Sequence, residues 1–131
     1  MNYELSQRFF FDAAHTLLRK IEADSSRRIH GHTYSAEVTI AGQPDPTTGM
    51  VKDLGEVRKA VADVKQQLDH HFLDEVPGLG IPTLENLCQF IAKCMAAQGL
   101  EITQVRVWRE GTGDACRLTQ IPRQTDLARK P

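Results

Sequence analysis

The stretch that most constrains this chain is "HGHTYSAEVTIAG", residues 30–42, whose side chains alternate with a period of two. His30, His32, Tyr34, Ala36, Val38 and Ile40 share one parity, and Thr33, Ser35, Glu37 and Thr39 share the other. A β-strand sends successive side chains to opposite faces. A helix would scatter the same apolar residues around its circumference, so the segment reads as a half-buried strand. The same parity puts two imidazoles side by side above an apolar stripe, in a chain with only five histidines.

The remaining pattern supplies partners for that strand. "YELSQRFFFDAAH" (3–15) alternates imperfectly, with Tyr3, Leu5, Phe9, Phe11 and Ala13 on one parity, and reads as a preceding strand. The polar segment "LLRKIEADSSRR" (17–28) breaks the alternation and is expected to be a loop, long enough to do work of its own. After turn chemistry in "QPDPTTG", Asp53 and Glu56 form a capping-box-like start. Leu54, Val57, Val61, Val64 and Leu68 then predict a helix over about 54–68. Pro82-Thr83 opens a second helix, with Leu84, Leu87, Ile91 and Met95 as its stripe and Gly99 as its stop. "EITQVRVWRE" (101–110) and "ACRLTQI" (115–121) read as strands flanking "GTGD", and residues 122–131 as a loose C-terminal tail. The order ββααββ over 1–121 implies one α+β domain, an antiparallel four-stranded sheet with two helices packed on one face. Such a sheet has two open edges, so a homo-oligomer is expected.

Composition narrows the partners. The 131 residues carry sixteen basic and seventeen acidic side chains, a formal charge of −1, which leaves no overall field for nucleic acid or anionic lipid. An anionic ligand would need a local cluster. No apolar run approaches the roughly 20 residues of a membrane span, and "MNYELSQRFF" lacks a signal-peptide core, so the expectation is a cytoplasmic protein without membrane partners. Cys88, Cys94 and Cys116 are odd in number and have no CxxC spacing, which argues against a disulfide framework or a thiolate metal site. Cys88 and Cys94 fall in an apolar helical pattern and are expected in the core.

The histidines are the chemical signal. His30 and His32 can reach one ion from the same strand face, and His15, at the end of the preceding strand, is the candidate third ligand. Three imidazoles leave a fourth tetrahedral position open, the catalytic arrangement of zinc. His-x-His followed by Glu37 also resembles the first cupin motif, but Glu37 has the wrong parity and two helical patterns do not suit that barrel. In "LDHHFL", Asp69 precedes His70, and a carboxylate beside an imidazole can fix its tautomer and raise its basicity; a favourable partner for a helix C-terminus is the simpler alternative. Glu110 closes a strand before the flexible "GTGD"; it is either a solvated carboxylate or an acceptor for paired N–H donors of a planar heterocycle.

"FDAAH", "HGHTY", "DPTTGMVKDLGEV", "LDHHFL", "PGLGIPTLENL" and "REGTGDACRL" occur in this order across nearly the whole chain. Together they resemble the 6-pyruvoyl-tetrahydropterin synthase / 6-carboxy-tetrahydropterin synthase family. The resemblance implies the tunnelling fold, in trimers whose sheets close into a barrel, commonly stacked as homohexamers. It implies Zn2+ held by His15, His30 and His32, an Asp69–His70 proton relay, Glu110 anchoring the pterin edge and Thr83 lining the pterin pocket. Bacterial members are lyases acting on 7,8-dihydroneopterin triphosphate; they release triphosphate and acetaldehyde and leave 6-carboxy-5,6,7,8-tetrahydropterin on the route to queuosine. One departure stands out. The family's usual base is a cysteine four residues before the first His of "HGH", and here that position is Ser26, with Asp24 and Arg27 at the variant placements. A serine hydroxyl is a far weaker base than a thiolate. A retro-aldol lyase on dihydroneopterin, or a zinc- and pterin-binding protein without turnover, are the alternatives that this substitution opens.

Overall fold

Strands β1 (Tyr3–His15) and β2 (His30–Gly42) pair antiparallel along their full length, from Tyr3 opposite Gly42 to His15 opposite His30. The structure, a computed structural model, describes residues 2–119 and 121–122. The expected tail, apart from Pro122, lies outside the described residues. Along the hairpin the alternating stripe does what its period requires: Phe11, Tyr34, Ala36 and Val38 are buried, while Asp12 and Arg8 of the opposite parity are exposed. Phe11 and Tyr34 face each other across the strands with ring centroids 5.0 Å apart, a stacked pair worth about 0.5–1.5 kcal/mol beyond the area it buries.

Strands β3 (Gln104–Arg109) and β4 (Asp114–Leu118) complete a four-stranded sheet in the order β1-β2-β3-β4, each strand antiparallel to its neighbours. Both are shorter than the periodicity predicts. Thr103, just before β3, gives its N–H to the carbonyl of Thr39 without joining the ladder.

The helices cover one face. Helix α1 (Ala23–Arg27) is a single turn in the 17–28 segment that polarity alone predicts to be loop. Its five residues are too few for a 3.6-residue repeat to show. Helix α2 (Leu54–Leu68) has the predicted bounds and buries Val57, Ala60, Val61, Val64 and Leu68, with α2 packed on β1. Asp53 caps it by accepting from the Gly55 N–H at 2.8 Å. Glu56 does not reciprocate the cap and forms an ion pair with Lys52 instead. Helix α3 (Leu84–Ala97) lies on β3 and β4 and buries Leu87, Cys88, Phe90, Ile91 and Met95. Gly99 ends it at φ +80°, a left-handed conformation that only glycine adopts cheaply. Cys88 is core, as expected, whereas Cys94 is half-buried at the core's margin.

Antiparallel order brings the end of β1, the start of β2 and the β3–β4 turn to one end of the sheet. The start of α3 reaches the same end, because His15 touches the carbonyl of Pro82. Among the described residues no helix is long and apolar enough to cross a membrane.

Candidate active site

At this end of the sheet His15, His30 and His32 converge. His15 lies directly opposite His30, and His32 is two residues further along β2, so strand parity turns all three rings the same way. Their ring centroids are 4.5–4.9 Å apart, and one nitrogen from each lies within 4.8 Å of the others. Backbone carbonyls set two of the tautomers: Nδ1 of His15 donates to Pro82 at 3.1 Å, and Nδ1 of His30 donates to Arg28 at 2.8 Å. Each leaves Nε2 as the free lone pair. Nε2 of His15 is buried and has no partner among the described residues, an unsatisfied acceptor that a cation would satisfy. Burial lowers the pKa of His15, and burial followed by the charge of Arg109 lowers that of His32 to about 4. Both rings are therefore held neutral, as metal ligands must be.

Two cavities meet at His15. The larger, about 740 Å³, runs past Tyr34, Asp74, Thr83 and Arg109. The second, about 650 Å³, is lined by all three histidines together with Ser26, Arg109 and Asp114. Thr83 caps α3 through its hydroxyl, which accepts from the Asn86 N–H at 3.1 Å, so its place beside the cavity is fixed by the helix it starts.

Arg109 is the functional residue that sequence reasoning missed. It follows Val105 and Val107 in parity and so points to the helix-covered face, where its Nη1 donates to Nε2 of His32 at 3.3 Å. Nη2 pairs with Asp114 at 2.7 Å, and Nε is buried without a partner among the described residues. Counting parity onward from the Val105–Val107 stripe would have found it.

The Asp69–His70 pair is real but stands elsewhere. Oδ2 of Asp69 is 3.1 Å from Nδ1 of His70, and Oδ1 accepts from the Asp12 N–H on the outer edge of β1. That backbone hydrogen bond, ahead of the contact with His70, holds the Asp69 carboxyl below the usual carboxylate range. His70 adopts φ +59°, costly for a residue with a Cβ, and is pinned there by its N–H donating to Asp12. Its side chain is 80% exposed, and neither cavity at His15 is lined by Asp69 or His70.

The family model for 6-pyruvoyl tetrahydropterin synthase matches residues 4–120. This chain belongs to that family. It is 35% identical over 97 residues to the putative 6-carboxy-5,6,7,8-tetrahydropterin synthase of Archaeoglobus fulgidus, covering 74% of this chain and 79% of that one. It is 32% identical over 93 residues to the dihydroneopterin monophosphate aldolase of Pyrococcus furiosus, covering 71% and 75%. The solved 6-pyruvoyl tetrahydropterin synthase of Caenorhabditis elegans shares the fold, with a TM-score of 0.75 at 22% identity over 91% of this chain and 96% of that one.

Within this member of the 6-pyruvoyl tetrahydropterin synthase family, Ser26 is buried in α1 and lines the cavity of the three histidines. Its N–H donates to Glu22, and its carbonyl accepts from Leu17 at 2.7 Å, tying the 17–28 segment to the end of β1. Asp24 is exposed and lines neither cavity. Glu110 lies on the far side of the β3 end from the histidines, where its Oε1 accepts from the Trp108 indole N–H at 2.8 Å. The fold thus gathers His15, His30, His32, Ser26 and Thr83 around adjoining cavities and leaves Asp69, His70 and Glu110 outside them.

Proposed function

We propose that this chain is a zinc-dependent pterin lyase of the 6-carboxy-5,6,7,8-tetrahydropterin synthase type, acting on 7,8-dihydroneopterin triphosphate on a route to deazapurines such as queuosine. The observation that carries the reading is the cluster of three imidazoles, with Nε2 of His15 unpartnered among the described residues, beside a cavity of about 740 Å³. His15, His30 and His32 would hold the metal, whose chemistry as a Lewis acid is to polarise the side-chain oxygens of a bound pterin. The protein's part is orientation and proton transfer. Pro82 and Arg28 hold two ligand rings in the tautomer that presents Nε2. In this reading Ser26, which lines the cavity of the three histidines, takes the place of the base, and Arg109 in the same cavity supplies a fixed positive charge.

Asp69 and His70 form a relay in this reading: the carboxylate stabilises the imidazolium formed when His70 takes a proton. Since the pair and Glu110 lie outside the two cavities at His15, they would act on a substrate held between copies, with the open sheet edges closing a trimer or hexamer. Glu110 would then anchor the amino-pyrimidine edge of the pterin.

A second reading is favoured by Ser26 and by the Pyrococcus furiosus relative that is named an aldolase: retro-aldol cleavage of the dihydroneopterin side chain without loss of triphosphate. Mass spectrometry of products from dihydroneopterin and its triphosphate, with zinc-loaded protein, decides. A 6-carboxy pterin with acetaldehyde supports the proposal, and a 6-hydroxymethyl pterin supports the aldolase. No product from either substrate, with pterin still bound, leaves a binding protein and refutes both.

A further inference from the structure

Arg109 makes a contact that conflicts with the use of His32 as a ligand. Its Nη1 lies 3.3 Å from Nε2 of His32. Arginine has five N–H donors and no acceptor, so the guanidinium donates and Nε2 of His32 supplies the lone pair. A neutral imidazole has a single such pair, because its other ring nitrogen carries the proton. The contact therefore fixes His32 in the Nδ1–H tautomer and occupies the electrons with which the ring would ligate. Turning to the other nitrogen does not remove the conflict. A ring that ligates through Nδ1 carries its proton on Nε2, where it would meet the N–H of Arg109 head-on. His15 and His30 are held differently, by backbone carbonyls that accept from Nδ1 and leave Nε2 to ligate.

The contact is weakly held. At 3.3 Å it is long for a hydrogen bond from nitrogen, whereas Nη2 meets Asp114 at 2.7 Å, the short distance of a charge-assisted pair. Asp114 is thus the firmer anchor, and the guanidinium has a carboxylate about which to turn. Nε is buried without a partner among the described residues, so the pose on His32 leaves one donor unsatisfied. Space to turn lies close by, since Arg109 and Asp114 line both cavities at His15. Charge acts in the same direction as the shared lone pair. The side chain of Arg109 is only 12% exposed, so solvent screens its positive charge poorly from a cation at the neighbouring imidazoles.

We propose that Arg109 is a gate on the three-histidine site: its guanidinium keeps His32 from ligating and must turn away, pivoting on Asp114, before the third imidazole can take a metal. The gate rests on the metal reading above, and in it Arg109 is a positioning residue that acts through His32. Zinc affinity of the full chain, measured by competition with a chromophoric chelator, tests it. Arg109→Leu removes the donor and the charge and should bind zinc at least about tenfold more tightly. Arg109→Lys keeps a charged donor and should stay within about threefold of the natural chain. The gain in Arg109→Leu should persist when Asp114→Asn is added, because no freed carboxylate can then account for it. Equal affinity in the natural chain and Arg109→Leu, an equal gain in Arg109→Lys, or a gain lost on adding Asp114→Asn overturns the gate and leaves the metal reading standing. Zinc bound by neither the natural chain nor Arg109→Leu overturns the metal reading and the gate with it. Proton–nitrogen NMR spectra of the chelator-treated natural chain check the contact without any variant. His32 should be in the Nδ1–H tautomer, and an Nε2–H tautomer would refute the gate.

Discussion

Replacing His32 by Gln should flatten the acid side of the stability curve of the metal-free protein. Burial, and then the charge of Arg109, pull the pKa of His32 from 6.5 to about 4. Below pH 6.5 the unfolded chain therefore takes up a proton at this ring that the folded chain refuses until about pH 4. The unfolded state binds more protons throughout that window, so stability rises with pH across it and is lost as the pH falls. A gap of this size corresponds to about 3 kcal/mol, which partial solvent access to the ring cuts to about 1–2 kcal/mol. His15 is shifted in the same direction by burial, so the variant keeps a residual slope. Asp69 and Asp114 have carboxyls held below 3.8 and lose their contributions at lower pH, outside the window. Urea titrations between pH 4 and 7.5, with chelator and at fixed protein concentration, measure the difference. Parallel stability curves for the two proteins, or a natural protein that gains stability as the pH drops from 6.5 to 4, would refute the reasoning.

Other consequences are as direct. His30→Ala should remove one of three ligands and, with it, most of the zinc retained through purification; equal zinc in both proteins by elemental analysis would sink the assignment. Ser26→Cys should raise turnover of dihydroneopterin triphosphate by about 10²–10⁴-fold, the usual worth of a positioned base, since the residue already lines the histidine cavity. If Asp24→Asn abolishes activity instead and the added thiol does little, the base is that loop carboxylate. Glu110→Gln keeps the shape of the side chain but removes its charge, and should weaken pterin binding by about 1.5–3 kcal/mol in calorimetry. Unchanged affinity would rule Glu110 out as the pterin anchor.

Much of this molecule can be read without coordinates, wherever a property depends on neighbours in the chain. A period of two is local, so Tyr34, Ala36 and Val38 had to share a face with His30 and His32, and they do. Helical spacing and an Asp at the cap were enough to bound α2 at Leu54–Leu68, and Gly99 marked the end of α3. The single turn of α1 escaped because one turn has no period. Ser26 could be ranked as a site residue only by its place relative to a family motif.

Tertiary structure decided what depends on register. Nothing local states that His15 falls opposite His30, or that the carbonyl orienting its ring belongs to Pro82, 67 residues away. Arg109 reaches His32 across 77 residues of sequence. Its parity was legible, but its partner was not, because hydrogen-bond ladders set strand alignment and sequence spacing does not. Asp69 and His70 show the converse. They are adjacent in sequence and in contact, yet the turn after α2 delivers them to the outer edge of β1, outside the two cavities at His15. The charged residues that line up across the open face of the sheet are the plainest case. Arg8, Glu37, Arg106 and Arg117 have no pattern along the chain, and only the pairing of four strands sums their charges in one place.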